Sequence, residues 1–217
     1  MSEAPLTDSP ILVGPAGRLE TILDMPRGVE PIAAAVVCHP HPQHGGTMHN
    51  KVAHTLARAF ARQGFAALRF NFRGTEGSEG QWDEGRGEVD DALAAAHFMR
   101  SAYPRMPLWI AGFSFGAAMA IRAAQREPFD GLISVAPAVS RFQADPGLQP
   151  TCPWLILQGD ADELVSADDT IAWVNSLAPG PELAVLDGAE HFFHGRLVDL
   201  REIVTTFVTG QLAGGQA

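Results

Sequence analysis

The stretch Leu108–Ala120 constrains the chain more than any other. It reads as an apolar strand, an abrupt turn Gly112-x-Ser114-x-Gly116 and the start of an apolar, alanine-rich helix that runs to Gln125. A serine on so tight a strand-to-helix turn is pushed out of the core with its hydroxyl exposed. The unsatisfied N–H groups and the positive dipole end of the helix lie just behind it. Glycines are needed on either side because the turn leaves no room for side chains there. In a chain with 22 glycines the five-residue pattern alone is weak; the apolar strand before it and the apolar helix after it supply the context the motif requires. The helix is apolar nearly all round, which predicts deep packing. Ser114 is accordingly a candidate nucleophile, set against the plainer reading of a packing turn that happens to hold a serine.

The rest of the chain repeats the same alternation. Ile11–Val13 and Leu19–Leu23 flank the turn-rich Gly14-Pro15-Ala16-Gly17 and predict an antiparallel hairpin. Ile32–Cys38 is a continuous apolar run, expected of a strand covered on both faces, and it ends in His39-Pro40-His41-Pro42-Gln43-His44-Gly45-Gly46. Asn50 is placed to cap a helix through Gln63, with Val52, Leu56 and Phe60 on one face and Gly64 as its stop. Phe65–Phe70 reads as a strand, Arg73–Gly87 as a long loop with five glycines, and Val89–Met99 as a helix with Leu93 and Ala96 on one side. Leu132–Ala136 and Trp154–Leu157 are further strands, separated by a short irregular segment, Pro137–Pro150. Ser166 begins a helix with Asp169 in the capping-box position and Ile171, Val174 and Leu177 as its buried stripe. Leu183–Leu186 is the last strand, and Leu197, Leu200, Ile203, Val204 and Phe207 mark the last helix. The expected fold is α/β, a mainly parallel, doubly wound sheet with flanking helices and no large cap. With no internal repeat and no linker, residues 1–217 are expected to form one domain.

Composition narrows the function classes. A hydrophobic content of 46% against 18% charged residues is that of a globular chain. A net charge of −10 argues against nucleic acid or an anionic membrane as partner, since both need basic patches. Cys38 and Cys152 lie in or beside apolar runs and are expected as buried, reduced thiols. Residues 1–10 lack the basic-then-apolar pattern of a signal peptide, and no run approaches the roughly 20 apolar residues of a membrane span. A cytoplasmic, soluble protein is the expectation.

A serine hydroxyl needs a base of near-neutral pKa to take its proton. Of the eight histidines, His191 is best placed, directly after the last strand, where functional groups of such sheets gather. His194 is the alternative. The base needs an acid to fix its tautomer. Asp160, Asp162 and Glu163 all follow the Trp154–Leu157 strand. Asp162 can reach across to the last loop, Asp160 sits where an aspartate more often bonds its own backbone, and Glu163 is expected to face solvent. The choice between Asp162 and Asp160 stays open on spacing alone. The order Ser, Asp, His is the one expected when this triad is built on an α/β sheet. An oxyanion site needs two N–H donors. Phe115, next to the serine, offers one. The loop after Cys38 offers the other, with His41 favoured because Pro40 has no N–H.

These residues resemble the α/β-hydrolase fold: Gly112-Phe113-Ser114-Phe115-Gly116, the loop ending in Asp162, and Gly188-Ala189-Glu190-His191. His39-Pro40 stands where that superfamily usually has His-Gly before an oxyanion donor, and Asn71-Phe72-Arg73-Gly74-Thr75-Glu76-Gly77-Ser78 is similar to its Arg-Gly loop. The resemblance runs from about residue 10 to residue 210 and is closest to small lidless bacterial esterase-like serine hydrolases, near the dienelactone hydrolases. A serine stands where most of the latter carry a cysteine, so their substrate does not carry over. The resemblance implies a carboxylesterase acting on small acyl esters through an acyl-enzyme, with Ser114, His191 and Asp162 as triad, the His41 and Phe115 amides as oxyanion donors, and no metal or organic cofactor. The short Pro137–Pro150 segment implies an open site for small-molecule acyl substrates.

Two competing readings remain. His39, His41, His44, His49 and His54 crowd together, and His39-x-His41-x-Gln43-His44 approaches a zinc-hydrolase pattern. Gln43 stands where that pattern needs an aspartate, and Pro40 and Pro42 limit how the imidazoles converge. The other reading is a binding protein that keeps the fold without catalysis. Phe113, Trp82, Phe142 and Phe192 are candidates for an apolar pocket. Arg73 is expected to anchor its glycine-rich loop through backbone carbonyls rather than to meet a substrate carboxylate.

Overall fold

The fold is given by a computed structural model that describes residues 8–142 and 148–214. Among these residues nine strands and five α-helices alternate. They are β1 (Leu12–Gly14), β2 (Gly17–Leu19), β3 (Thr21–Asp24), β4 (Ala33–Cys38), α1 (Lys51–Arg62), β5 (Phe65–Phe70), α2 (Arg86–Ala102), β6 (Leu108–Phe113), α3 (Phe115–Arg126), β7 (Gly131–Val135), β8 (Trp154–Gly159), α4 (Ala167–Asn175), β9 (Glu182–Leu186) and α5 (Leu197–Gly214). β3 to β9 form a seven-stranded sheet in the order β3-β5-β4-β6-β7-β8-β9. Only β3 runs antiparallel, pairing Thr21–Asp24 with Phe70–Ala67 of β5.

Strands buried on both faces explain the continuous apolar runs. Alternate residues of each strand feed two separate cores. Ala34, Val36 and Cys38 of β4 join Leu108 and Ile110 of β6 and the inner faces of α2 and α3. Ala33, Ala35 and Val37 join Trp109, Ala111 and Phe113 and the faces of α1 and α5. The chain leaves β4 for β5 on one side, then returns over the sheet through α2 to β6 on the other. This reversal opens a crevice at the carboxyl ends of β4 and β6, where a doubly wound sheet places its ligands.

Several elements differ from their expected form. The predicted hairpin exists as β1–β2, but it ends at Leu19; Thr21–Asp24 departs to pair with β5. The turn into β3 is held by Glu20, whose carboxylate accepts from Asn71 Nδ2 (2.8 Å) and Gly77 N (3.0 Å). α2 starts three residues before Val89, because the buried Glu88 carboxylate accepts the N–H groups of Asp83 and Gly85, both at 2.8 Å. Its inward face is Val89, Ala92, Ala96 and Met99, with Leu93 only partly covered. Ser166 caps α4 through Asp169 N (3.1 Å), yet Thr170 and Val174 are the residues of that helix that are buried. α3 buries nearly its whole length, Phe115 to Ala124. At about 1.5–3 kcal/mol for each large side chain removed from water, the helix behind Ser114 is anchored far more firmly than α4.

Residues 143–147 of the irregular Pro137–Pro150 segment, and the extreme termini, lie outside the described residues. Cys38 is fully buried and Cys152 half-buried, both free; burial pushes both thiols up, Cys152 to about 11. No helix among the described residues is long and apolar enough to cross a membrane.

Candidate active site

Ser114 occupies the turn between β6 and α3 with φ 54° and ψ −115°. A non-glycine residue in that region costs of order 1–3 kcal/mol and persists only when its surroundings over-determine it. They do: Ser114 N donates to Val135 O (2.8 Å), and its carbonyl accepts from Ala117, Ala118 and Ala138 N–H groups at 3.1, 3.2 and 3.3 Å. Both glycines of the motif are steric necessities. A Cβ on Gly112 would overlap the Gly116 carbonyl, and one on Gly116 would overlap the carbonyl oxygens of Cys38 and His39. The helix start is thus pressed onto the end of β4, and the serine faces the crevice.

His191 Nε2 lies 3.1 Å from Ser114 Oγ, and His191 Nδ1 lies 2.8 Å from Asp162 Oδ2. The carboxylate fixes the proton on Nδ1 and leaves Nε2 as the acceptor for the serine hydroxyl. His191 is buried, 2% exposed, with the Phe113 ring behind it at 4.9 Å between centroids. Burial works to raise the Asp162 carboxyl. The bonds from His191, Val165 N (2.7 Å) and Leu164 N (2.9 Å), with attraction to the imidazole, outweigh burial and hold the group below the ordinary carboxylate range. Gln158 Nε2 donates to the same Oδ2 at 3.1 Å.

The two alternatives lie elsewhere. His194 is a surface residue, its Nδ1 3.5 Å from Glu190 Oε2. Asp160 does not bond its own loop as expected; its Oδ1 accepts from Gly188 N at 2.6 Å and ties the acid loop to the histidine loop. Glu163 is exposed as expected, but its Oε2 also accepts the backbone N–H of His191 at 3.2 Å.

The amides of Phe115 and His41 have no acceptor among the described residues. Phe115 opens α3, so its N–H is one of the orphan donors of a helix start. His41 heads the 3₁₀ turn Pro42–His44, and its carbonyl accepts from His44 N (3.1 Å) and Gly46 N (3.0 Å). Its imidazole stacks on His44 at 4.4 Å and packs against Trp82, Phe115 and Phe142 at 4.7, 5.2 and 5.5 Å. Burial, then repulsion from His44 and Arg141, lowers its pKa to about 4. Of the four candidate pocket aromatics, Phe113 is core, Trp82 and Phe142 join this stack, and Phe192 is 40% exposed beside His191.

The histidine cluster does not converge. His39 is fully buried; its Nε2 accepts from Phe72 N (3.0 Å), which puts the proton on Nδ1, and Nδ1 donates to Pro40 O (2.6 Å). Both nitrogens are thereby used, and burial lowers this histidine to about 4. His44, His49 and His54 are exposed. No three His, Cys, Asp or Glu among the described residues are grouped so as to hold a metal ion.

Arg73 anchors its loop, but through a carboxylate rather than the expected carbonyls. Its Nε and Nη2 donate to Asp91 Oδ2 and Oδ1 at 2.9 and 2.7 Å, and its backbone N–H reaches Oδ2 at 3.1 Å. Asp91 sits on α2, so the pairing spans loop and helix and left no local sequence signal. Gln158, also overlooked, had one: it is the polar residue at the carboxyl end of an otherwise apolar strand.

A parallel sheet, a strained serine between strand and deeply buried helix, and a histidine and an aspartate on the following strand ends together define an α/β-type serine hydrolase. The comparisons with known proteins agree. The family model described as serine aminopeptidase, S33 (Hydrolase_4), matches residues 30–150. An uncharacterized protein of Rickettsia prowazekii (strain Madrid E), RP471, is 35% identical over 206 residues, 90% of this chain and 86% of that protein. XC6422 from Xanthomonas campestris, an α/β serine hydrolase without lid, is 40% identical with a TM-score of 0.90, over 95% of this chain and 97% of that one. An α/β serine hydrolase homologue from Coxiella burnetii is 41% identical with a TM-score of 0.86, over 94% and 99%. Est1E from Butyrivibrio proteoclasticus, with ferulic acid bound, shares the fold at 20% identity, with a TM-score of 0.82 over 94% and 99%. The chain belongs to the α/β-hydrolase superfamily, in the serine aminopeptidase S33 family.

Proposed function

We propose that this serine hydrolase is a carboxylesterase that cleaves small acyl esters through an acyl-Ser114 intermediate. The observation that carries the reading is the unbroken chain from Ser114 Oγ to His191 Nε2 (3.1 Å) and from His191 Nδ1 to Asp162 Oδ2 (2.8 Å). His191 takes the hydroxyl proton as Ser114 attacks the ester carbonyl, and Asp162 stabilises the imidazolium. The amides of Phe115 and His41 receive the oxyanion. Collapse expels the alkoxide, which takes the proton from His191. Water, activated by the same imidazole, then releases the acid and frees Ser114.

The test is direct. Ser114→Ala abolishes p-nitrophenyl acetate hydrolysis with an unchanged circular dichroism spectrum, and a fluorophosphonate probe maps to Ser114. Activity that survives Ser114→Ala but is lost with a chelator moves the chemistry to a metal. No turnover of any short acyl ester, with no phosphonate adduct, leaves a binding protein. The family's description favours a second reading, release of N-terminal amino acids from peptides; aminoacyl p-nitroanilides turned over faster than acetyl esters would establish it.

A further inference from the structure

The geometry points to Gln158 as a positioning residue for the triad: its side-chain amide orients Asp162 and limits how strongly that carboxylate holds the His191 imidazolium. This rests on the proposed roles of Ser114, Asp162 and His191.

Gln158 lies on β8 with no exposure to solvent. Its Nε2 is 3.1 Å from Asp162 Oδ2, 3.2 Å from Val165 O and 3.2 Å from Gly159 O. Three oxygens converge on one nitrogen, so the amide can face only one way; reversed, Oε1 would meet three acceptors with no proton between them. Oε1 itself is buried with no partner among the described residues. The side chain therefore acts here as a donor, through Nε2.

Its effect falls on one atom. Asp162 Oδ1 is fixed by the backbone N–H groups of Leu164 and Val165, while among the described residues Oδ2 receives two side-chain donors, His191 Nδ1 and Gln158 Nε2. The amide competes with the imidazole for the charge on Oδ2. It also holds the carboxylate plane by a second point, so the Oδ2 lone pair stays directed at His191. The bond to Val165 O ties the same amide to the far end of the acid loop. Without Nε2, Oδ2 answers to His191 alone. The imidazolium is then held more strongly and released less readily, and the carboxylate gains freedom to rotate.

The experiment measures kcat and KM for p-nitrophenyl acetate from pH 5 to 10, per folded molecule, for the wild type, Gln158→Leu and Gln158→Glu. In Gln158→Leu, kcat falls about tenfold, equal to about 1.4 kcal/mol, with KM unchanged, and the acidic limb of kcat/KM moves to higher pH. Gln158→Glu keeps the shape and keeps a donor only while its carboxyl is protonated. It works near the wild-type rate at low pH and acquires an alkaline limb, absent from the wild type, as the introduced carboxyl ionises against Asp162. The isosteric variant carries the test alone if Gln158→Leu does not fold. Profiles that match the wild type in shape, with lower melting temperatures as the only change, overturn the inference and make Gln158 structural. A wild type without esterase activity is a different outcome, since it removes the proposed reaction itself.

Discussion

Gly159 lies so close to Ala189 that a Cβ on the glycine would overlap the Ala189 carbonyl oxygen. Gly159 ends β8 and leads into the acid loop, while Ala189 belongs to the loop that carries His191. The two loops come from neighbouring strands and are joined by a short ladder: Asp160 N to Leu186 O (3.3 Å), Ala161 N to Ala189 O (3.2 Å) and Gly188 N to Asp160 Oδ1 (2.6 Å). The distance between Asp162 and His191 is set by this seam before either side chain makes its own contact.

Gly159→Ala therefore acts on the site through the backbone. The added methyl must push the two loops apart, and a displacement of about 1 Å in a catalytic group can cost on the order of a hundredfold in rate. The expected result is at least a tenfold loss of kcat with a lower melting temperature and unaltered KM, read by steady-state kinetics and thermal denaturation. Unchanged kcat would mean that the seam absorbs the methyl elsewhere.

Asp162 and Asp160 part clearly on substitution. Asp162→Asn presents an amide to His191 Nδ1 and favours the wrong tautomer, and the expected loss of kcat is about a thousandfold to ten-thousandfold. Asp160→Asn keeps an acceptor for Gly188 N and is expected to cost less than tenfold. The two rates, measured on one ester at pH 8, assign the acid; equal losses would show that loop integrity, not the carboxylate, controls the rate.

Much of this fold was legible because its central strands are buried on both faces and so appear as apolar runs, from Ala33–Cys38 to Trp154–Leu157. The serine turn was legible for a steric reason, since Gly112 and Gly116 have no alternative. What was hidden depends on partners far apart in the chain. Nothing near Thr21 announces that β3 will abandon its hairpin for β5, because the decision rests on Glu20 meeting Asn71 and Gly77. Asp160 and Asp162 are two residues apart in one loop, and only the position of the histidine loop separates a bond to Gly188 N from a bond to His191 Nδ1. The early start of α2 was masked because its cap is Gly85, at φ 82°, with Glu88 completing the bonds that a Ser or Thr would have advertised.

Arg73 and Asp91 give a stability prediction with a built-in control. The Asp91 side chain has no exposure, and Arg73 and its own backbone N–H neutralise it. Arg73→Met leaves a buried carboxylate without its cation, a change that costs about 3–5 kcal/mol, while the double variant Arg73→Met/Asp91→Leu recovers most of the loss. Urea denaturation reads both. Because the guanidinium is committed to Asp91, the single variant changes KM for neutral and anionic esters alike. A selective rise for the anionic ester would place Arg73 against substrate.

His39 gives the protein a defined response to acid. Its folded-state pKa of about 4 lies below the ordinary 6.5 because complete burial penalises the charged ring, an effect that the bond to the Pro40 carbonyl opposes but does not cancel. The unfolded chain therefore binds a proton that the folded chain refuses. Stability from this group is complete above pH 6.5, falls as the pH drops towards 4, and changes no further below that, with a total of about 3 kcal/mol. His39→Gln keeps an acceptor for Phe72 N–H but does not titrate. Denaturant unfolding at half-unit steps from pH 7.5 to 4 is expected to show a steeper decline in the wild type than in the variant, and the difference between the two curves to level off near pH 4. Parallel curves would mean that the imidazole accepts its proton within the fold.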